Sequence, residues 1–128
     1  FLDRIDRLDT EIKSFLTVFK EDALNKAKEL DRKKSSNVPV GSLAAVPVGV
    51  KDMIHIKGKR TTCGSLLLEN YIAPFSATAI EHIKQEDAIL LGKVNLDEFG
   101  MGTLGEHSAF CQTVNPWNKN HFPGGSSS

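Results

Sequence analysis

Only two cysteines, Cys63 and Cys111, occur in the 128 residues. Two isolated thiols make neither a disulfide framework nor a metal-binding motif, and reduced thiols in a cytosol-like compartment fit them best. Net charge is absent as well, because 16 Lys and Arg balance 16 Asp and Glu. That balance argues against autonomous binding to nucleic acid, which requires a net basic face. The local cluster Lys57-Gly58-Lys59-Arg60 reads as a solvated turn. No apolar run reaches the ~18 residues of a membrane span, and no signal-peptide pattern opens the chain. The histidines, His55, His82, His107 and His121, show no HExxH or CxxC spacing, so no metal site is expected. Internal repeats and low-complexity segments are also missing.

What remains is an ordinary globular composition, 40% apolar and 25% charged, on a chain long enough for one domain with a core. Residues 3–34 read as helical, with Leu2, Ile5 and Leu8 at helical spacing and Phe19, Ala23, Ala27 and Leu30 forming a second apolar stripe. The partly β-branched "SFLTVF" of residues 14–19 predicts an extended break between the two. "AVPVGV" (45–50) and "AILLGKV" (88–94) read as buried strands, "LLLENY" (66–71) as a short helix, and 77–86 as a helix capped by Ser76. Asn95 and Glu98 predict a capping box on a further short helix, ended by Gly100 and Gly102. Strand, helix, strand and helix in that order imply an α/β protein with a parallel pair and a right-handed crossover. Two or three strands cannot form a central sheet covered on both faces, so the pattern predicts part of a larger fold.

Two places carry candidate chemistry. Lys51 follows a strand pattern directly, and loops at the carboxyl ends of parallel strands are where α/β proteins bind ligands. A lysine held against apolar neighbours loses hydration, which disfavours its charged form, and a neutral lysine can take a proton from a hydroxyl. The same residue can equally snorkel into solvent at a strand end. The second place is "PGGSSS" (123–128), where glycines expose amides able to stabilise an oxyanion and serines supply hydroxyls; a flexible tail has the same composition. Together they suggest a Ser-Lys type of acyl-transfer site. Asp52 could orient Lys51 or a nearby amide, but reads rather as a turn residue bonded to its own backbone, with His55 and His107 as surface or loop residues and Trp117 packed behind the Gly/Ser loop.

"VPVGVKD", "RTTCGS", "AILLGKVNLDEFGMG", "SAF", "NPW" and "PGGSS" stand in this order, and with their spacing the chain resembles the amidase signature family. "LDEF" at 96–99 and "RTTCGS" lean toward its tRNA-dependent amidotransferase branch. The resemblance implies a mixed sheet covered by helices, with residues 1–128 as the N-terminal portion of one amidase domain. It implies a Ser-cis-Ser-Lys triad in which Lys51 is the base and Ser126, after a cis peptide, the bridging serine. Gly124, Gly125 and Ser127 would support the loop and oxyanion, and the nucleophilic serine would lie beyond residue 128. The implied function is glutamine hydrolysis that supplies ammonia for amidating Glu-tRNA(Gln), or Asp-tRNA(Asn). A stand-alone amidase for another small amide and a truncated, non-catalytic interaction module are the alternatives, and the fragment alone is expected to be inactive. The resemblance implies no cofactor in this chain, with ATP and Mg used mainly through a partner in the amidotransferase complex. It further implies the companion subunits of that complex, B and C, as partners, no membrane, and a bacterial cytoplasm or a mitochondrial or plastid location. Met53 stands where the family pattern has asparagine, Thr103-Leu104-Gly105 where it is Ser/Thr-rich, and Ser128 where it has glycine.

Overall fold

A computed structural model describes residues 1–128. Helix α1 (Leu2–Ile12) ends at Lys13, whose φ of 59° turns the chain. Asp9 secures that turn: its carboxylate accepts the amides of Ser14 at 2.9 Å and Phe15 at 3.0 Å. The expected extended break follows as β1 (Phe15–Val18), and α2 (Lys20–Ser35) then buries Ala23 and Leu30. Strand β2 (Pro47–Lys51) begins on the proline, where the missing amide is tolerated. Helix α3 (Thr78–Gln85) leads into β3 (Ile89–Val94). Residues 66–68 and 98–100 form single 3-10 turns. No helix is long and apolar enough to cross a membrane.

The sheet has the order β1-β3-β2. The β2–β3 pair is parallel, as expected, and β1 joins the other side of β3 antiparallel. Strand side chains alternate between faces, and β3 shows it: Leu90 packs against Phe19, Val50, Ile56 and Ile80, whereas Ile89 and Leu91 pack with Ala23 and Leu30. One core cluster therefore lies on each side of β3. At Gly92 the β1 backbone comes so near that an added Cβ would overlap the Thr17 carbonyl oxygen. Gly92→Ala therefore destabilises the protein by about 1–3 kcal/mol, read by chemical denaturation. An unchanged midpoint would contradict this close approach.

Asp87 ties three segments together. Its carboxylate accepts from Lys26 of α2 at 2.6 Å, from the Gly41 amide at 3.0 Å and from Lys33 at 3.2 Å. The Lys26 hydrogen bond, then that of Gly41 and then that of Lys33, hold this carboxyl well below the ordinary carboxylate range. A depressed native value gives stability that is complete above the unfolded value of about 3.9 and fades as pH falls below it. Asp87→Asn therefore lowers the thermal midpoint near neutral pH, and the gap from the parent narrows as pH is taken below about 4. A constant gap would contradict this role.

Two predicted caps are corrected. Ser76 does not cap α3: the N-cap is Ala77 with no side-chain bond, and the Ser76 hydroxyl accepts the Lys57 amide at 3.0 Å instead. Asn95 makes no capping box. It is fully buried, and its amide must be satisfied on the spot: Oδ1 accepts from Leu96 N–H at 2.9 Å while Nδ2 donates to the Cys111 carbonyl at 2.9 Å and Thr113 Oγ1 at 3.0 Å. Trp117 is 95% exposed rather than packed behind the Gly/Ser loop. Asn115 Oδ1 accepts the backbone amides of Trp117 and Asn118, an Asx turn that carries the ring outward.

Candidate active site

Strand β2 delivers Lys51 at its carboxyl end, opposite Val94 of β3. Lys51 Nζ donates to Ser126 Oγ at 2.7 Å, across 75 residues of sequence. Backbone pairing brings Ser126 there. Residues 126–128 run antiparallel beside 95–97, with Leu96 opposite Ser127. The Asp97 amide donates to the Ser126 carbonyl at 3.2 Å, and the Ser128 amide to the Asn95 carbonyl at 3.3 Å. The Gly125–Ser126 peptide is cis. Gly124 has φ 96° and open space where a Cβ would stand. The backbone amides of Gly124, Gly125 and Ser127 donate to no other backbone group. The loop thus presents uncommitted N–H donors beside a lysine–serine pair, the kind of groups that proton transfer and oxyanion stabilisation require. Gly100 lies between this hydroxyl and Met53: a Cβ added there would be 3.4 Å from Met53 Sδ and 3.7 Å from Ser126 Oγ. Lys51 and Ser126 are brought together, Gly124 and Gly125 lie in the same loop, and Ser127 is fixed through its backbone opposite Leu96.

The residue after Lys51 lies in a turn, as expected, closed by the Ile54 amide on the Lys51 carbonyl at 2.9 Å, but its side chain does not bond its own backbone. Asp52 is 1% exposed. Its carboxylate pairs with Lys93 Nζ at 2.8 Å and accepts the Thr62 amide at 2.9 Å and the Thr62 hydroxyl. Lys93, one residue from the carboxyl end of β3, is fully buried and also donates to Thr61 Oγ1 at 3.0 Å. Burial pushes the Lys93 ammonium down from its ordinary value, against the pull of its Asp52 partner. The own-backbone bond failed because a carboxylate without exposure needs more donors than its own backbone supplies. One signal could have found the pair: a lysine inside the apolar run "AILLGKV" needs a buried partner. Asp97 is the second buried carboxylate missed in the sequence. It is fully buried and accepts the amides of His107 at 2.9 Å and Gly105 at 3.2 Å.

Neither cysteine is poised as a nucleophile. Burial and then the nearby Asp52 charge push the Cys63 thiol up, and burial raises Cys111, which disfavours the reactive thiolate. The basic cluster is an exposed turn at Lys57 and Gly58, as expected, and a brace at the two residues that follow. Lys59 pairs with Asp22 and lies over the Phe19 ring, and Arg60 donates to the Leu16 and Glu69 carbonyls at 3.3 Å.

The chain matches the family model described as Amidase over residues 1–128. It is 53% identical over 127 residues to the glutamyl-tRNA(Gln) amidotransferase A-subunit of Chlamydia felis, covering 99% of this chain and 26% of that protein. The protein of the same name from Chlamydia pneumoniae is 50% identical over the same shares. Among solved structures, the glutamyl-tRNA(Gln) amidotransferase A-subunit from Thermotoga maritima is 40% identical with a TM-score of 0.76, over 98% of this chain and 25% of that one. The native peptide amidase of Stenotrophomonas maltophilia is 31% identical with a TM-score of 0.88, over 98% of this chain and 27% of that one. The chain spans about a quarter of the length of the curated relatives it matches. With every residue inside the family model and the lysine–serine pair assembled at a strand end, this chain belongs to the Amidase family.

Proposed function

We propose that the complete protein carrying these residues hydrolyses glutamine as the amidase component, the A-subunit, of a tRNA-dependent amidotransferase and passes the ammonia to Glu-tRNA(Gln). The observation that carries the chemistry is the 2.7 Å contact between Lys51 Nζ and Ser126 Oγ. The branch is supported by 53% identity to a protein named as that component, against 31% to the peptide amidase.

In this reading a serine outside residues 1–128 attacks the glutamine carboxamide carbon. Its proton passes to Ser126 Oγ as the Ser126 proton passes to the amine form of Lys51. The new C–O bond forms while uncommitted amides of the Gly124–Ser127 loop face the oxyanion. The C–N bond then breaks, and the nitrogen leaves as ammonia with the proton returned along the same relay. Water, activated by that relay, hydrolyses the acyl ester to glutamate and regenerates the serine. ATP and magnesium belong in this reading to the companion B-subunit, with the small C-subunit aiding assembly, and no step here runs through them. Asp-tRNA(Asn) is a second acceptor of the same chemical class.

The test is amide formation on Glu-tRNA(Gln) by the complete protein with and without its co-purifying partners. Glutamine-dependent amidation that requires the partners is expected. Efficient hydrolysis of other small amides, with no partner and no amidation of aminoacyl-tRNA, would replace this reading with that of a stand-alone amidase.

A further inference from the structure

We infer that Asp97 is a positioning residue: its buried carboxylate is the post around which the Gly125–Ser126 segment is set, and so fixes where the Ser126 hydroxyl meets Lys51. The inference rests on the role proposed above for Ser126. One backbone contact and two sets of side-chain contacts tie this residue to the loop and to the wall opposite it. First, the Asp97 amide donates to the carbonyl of Ser126 itself, at 3.2 Å. Second, Gly125 has no room for a side chain, because a Cβ there would overlap Asp97 Oδ2 and stand 2.9 Å from both the Gly105 nitrogen and the Thr103 carbonyl carbon. Third, the opposite wall is held by the same group: the carboxylate accepts the amides of Gly105 and His107, and a Cβ on Gly102 would overlap its Cγ. Segments 102–107 and 125–126 therefore close on Asp97 from two sides.

The chemistry explains why a carboxylate is used. Asp97 is fully buried, and no lysine, arginine or histidine forms an ion pair with it. A buried carboxylate without a cation depends on fixed N–H donors for its solvation. Each donor it recruits orders the backbone that supplies it. Asp97 thus converts its own need for hydrogen bonds into a defined path for the loop wall. Ser126, tied to the same residue's backbone, inherits that definition.

The test uses the complete protein with two variants. Asp97→Asn keeps the shape but turns one acceptor into a donor that opposes an amide, and Asp97→Ala removes the post. The expected result is a fall in kcat for glutamine hydrolysis of about tenfold for Asp97→Asn and about a hundredfold for Asp97→Ala, with KM within about threefold. The Gly105 and His107 amides lose hydrogen-exchange protection in both variants while β3 keeps its own. If Asp97→Ala does not fold, Asp97→Asn decides. A kcat within about twofold of the parent in the folded variants would overturn the inference. A parent that hydrolyses no glutamine would sink the functional reading instead. Exchange then decides the role of Asp97: loss of protection at Gly105 and His107 supports it, and unchanged protection overturns it.

Discussion

Under the proposed function, Lys51→Ala in the complete protein lowers glutamine hydrolysis by on the order of 10⁴-fold, about 5 kcal/mol of barrier. The reason is positional. Lys51 is the side chain that reaches Ser126 Oγ, at 2.7 Å, so no neighbour can take over the proton. Lys51→Arg fails to the same order, because a guanidinium keeps its proton at any working pH and cannot act as a base. That second variant separates a base from a mere positive charge, since an electrostatic role would leave Lys51→Arg largely active. The thermal midpoint of both variants stays near that of the parent. Lys51 is only partly buried, and the loop bearing Ser126 is held by the backbone of residues 95–97 rather than by the lysine. Hydrolysis within tenfold of the parent in Lys51→Ala would sink the assigned role.

Asp52→Ala destabilises the protein by about 3–5 kcal/mol, the cost of leaving a buried charge without its partner. Lys93 is fully buried, and its other contacts, Thr61 Oγ1 and the Arg60 carbonyl, carry no charge. Lys93→Ala costs a similar amount from the other side, because Asp52 retains only the Thr62 amide and hydroxyl. The double variant Asp52→Asn with Lys93→Met tests the pair as a unit. Asparagine keeps the acceptor for Thr62, methionine fills the lysine stem's volume, and no charge stays buried. Its cost falls well below the sum of the losses of Asp52→Asn and Lys93→Met made singly. Chemical denaturation measures all of these, and additive losses would contradict the pairing. The pair also serves the site: it anchors the residue that follows Lys51 to β3, so the strand end cannot drift from Ser126.

The sequence made some of this legible for identifiable physical reasons. Strands β2 and β3 announce themselves as apolar runs, and α2 as an apolar stripe at helical spacing. The break at "FLTV" was legible too, but its place beside β3 was not. Four residues carry no record of their partner, and the clue that β1 lies close is a glycine, Gly92, whose reason lies in another strand. Lys51 and Ser126 were nameable through the family resemblance, whereas their contact depends on the pairing of 126–128 with 95–97, which spacing does not encode. Burial misled in both directions. Trp117 was assigned to the interior by its hydrophobicity and is held outside by the Asn115 turn. The charge of Asp52 favours a local turn role, and Asp97 stands out only within "LDEF", yet both lie in the interior, where fixed donors surround them. Local polarity predicts exposure only where no partner is built to receive the group.

In the proposed mechanism Lys51 and Ser126 act as one relay. The most direct measurement is the rate of ammonia release from glutamine for Ser126→Ala, Lys51→Ala and the double variant of the complete protein. The double variant is no slower than the slower single variant, because a broken relay cannot be broken twice. Losses that multiply would show two independent contributions and contradict it.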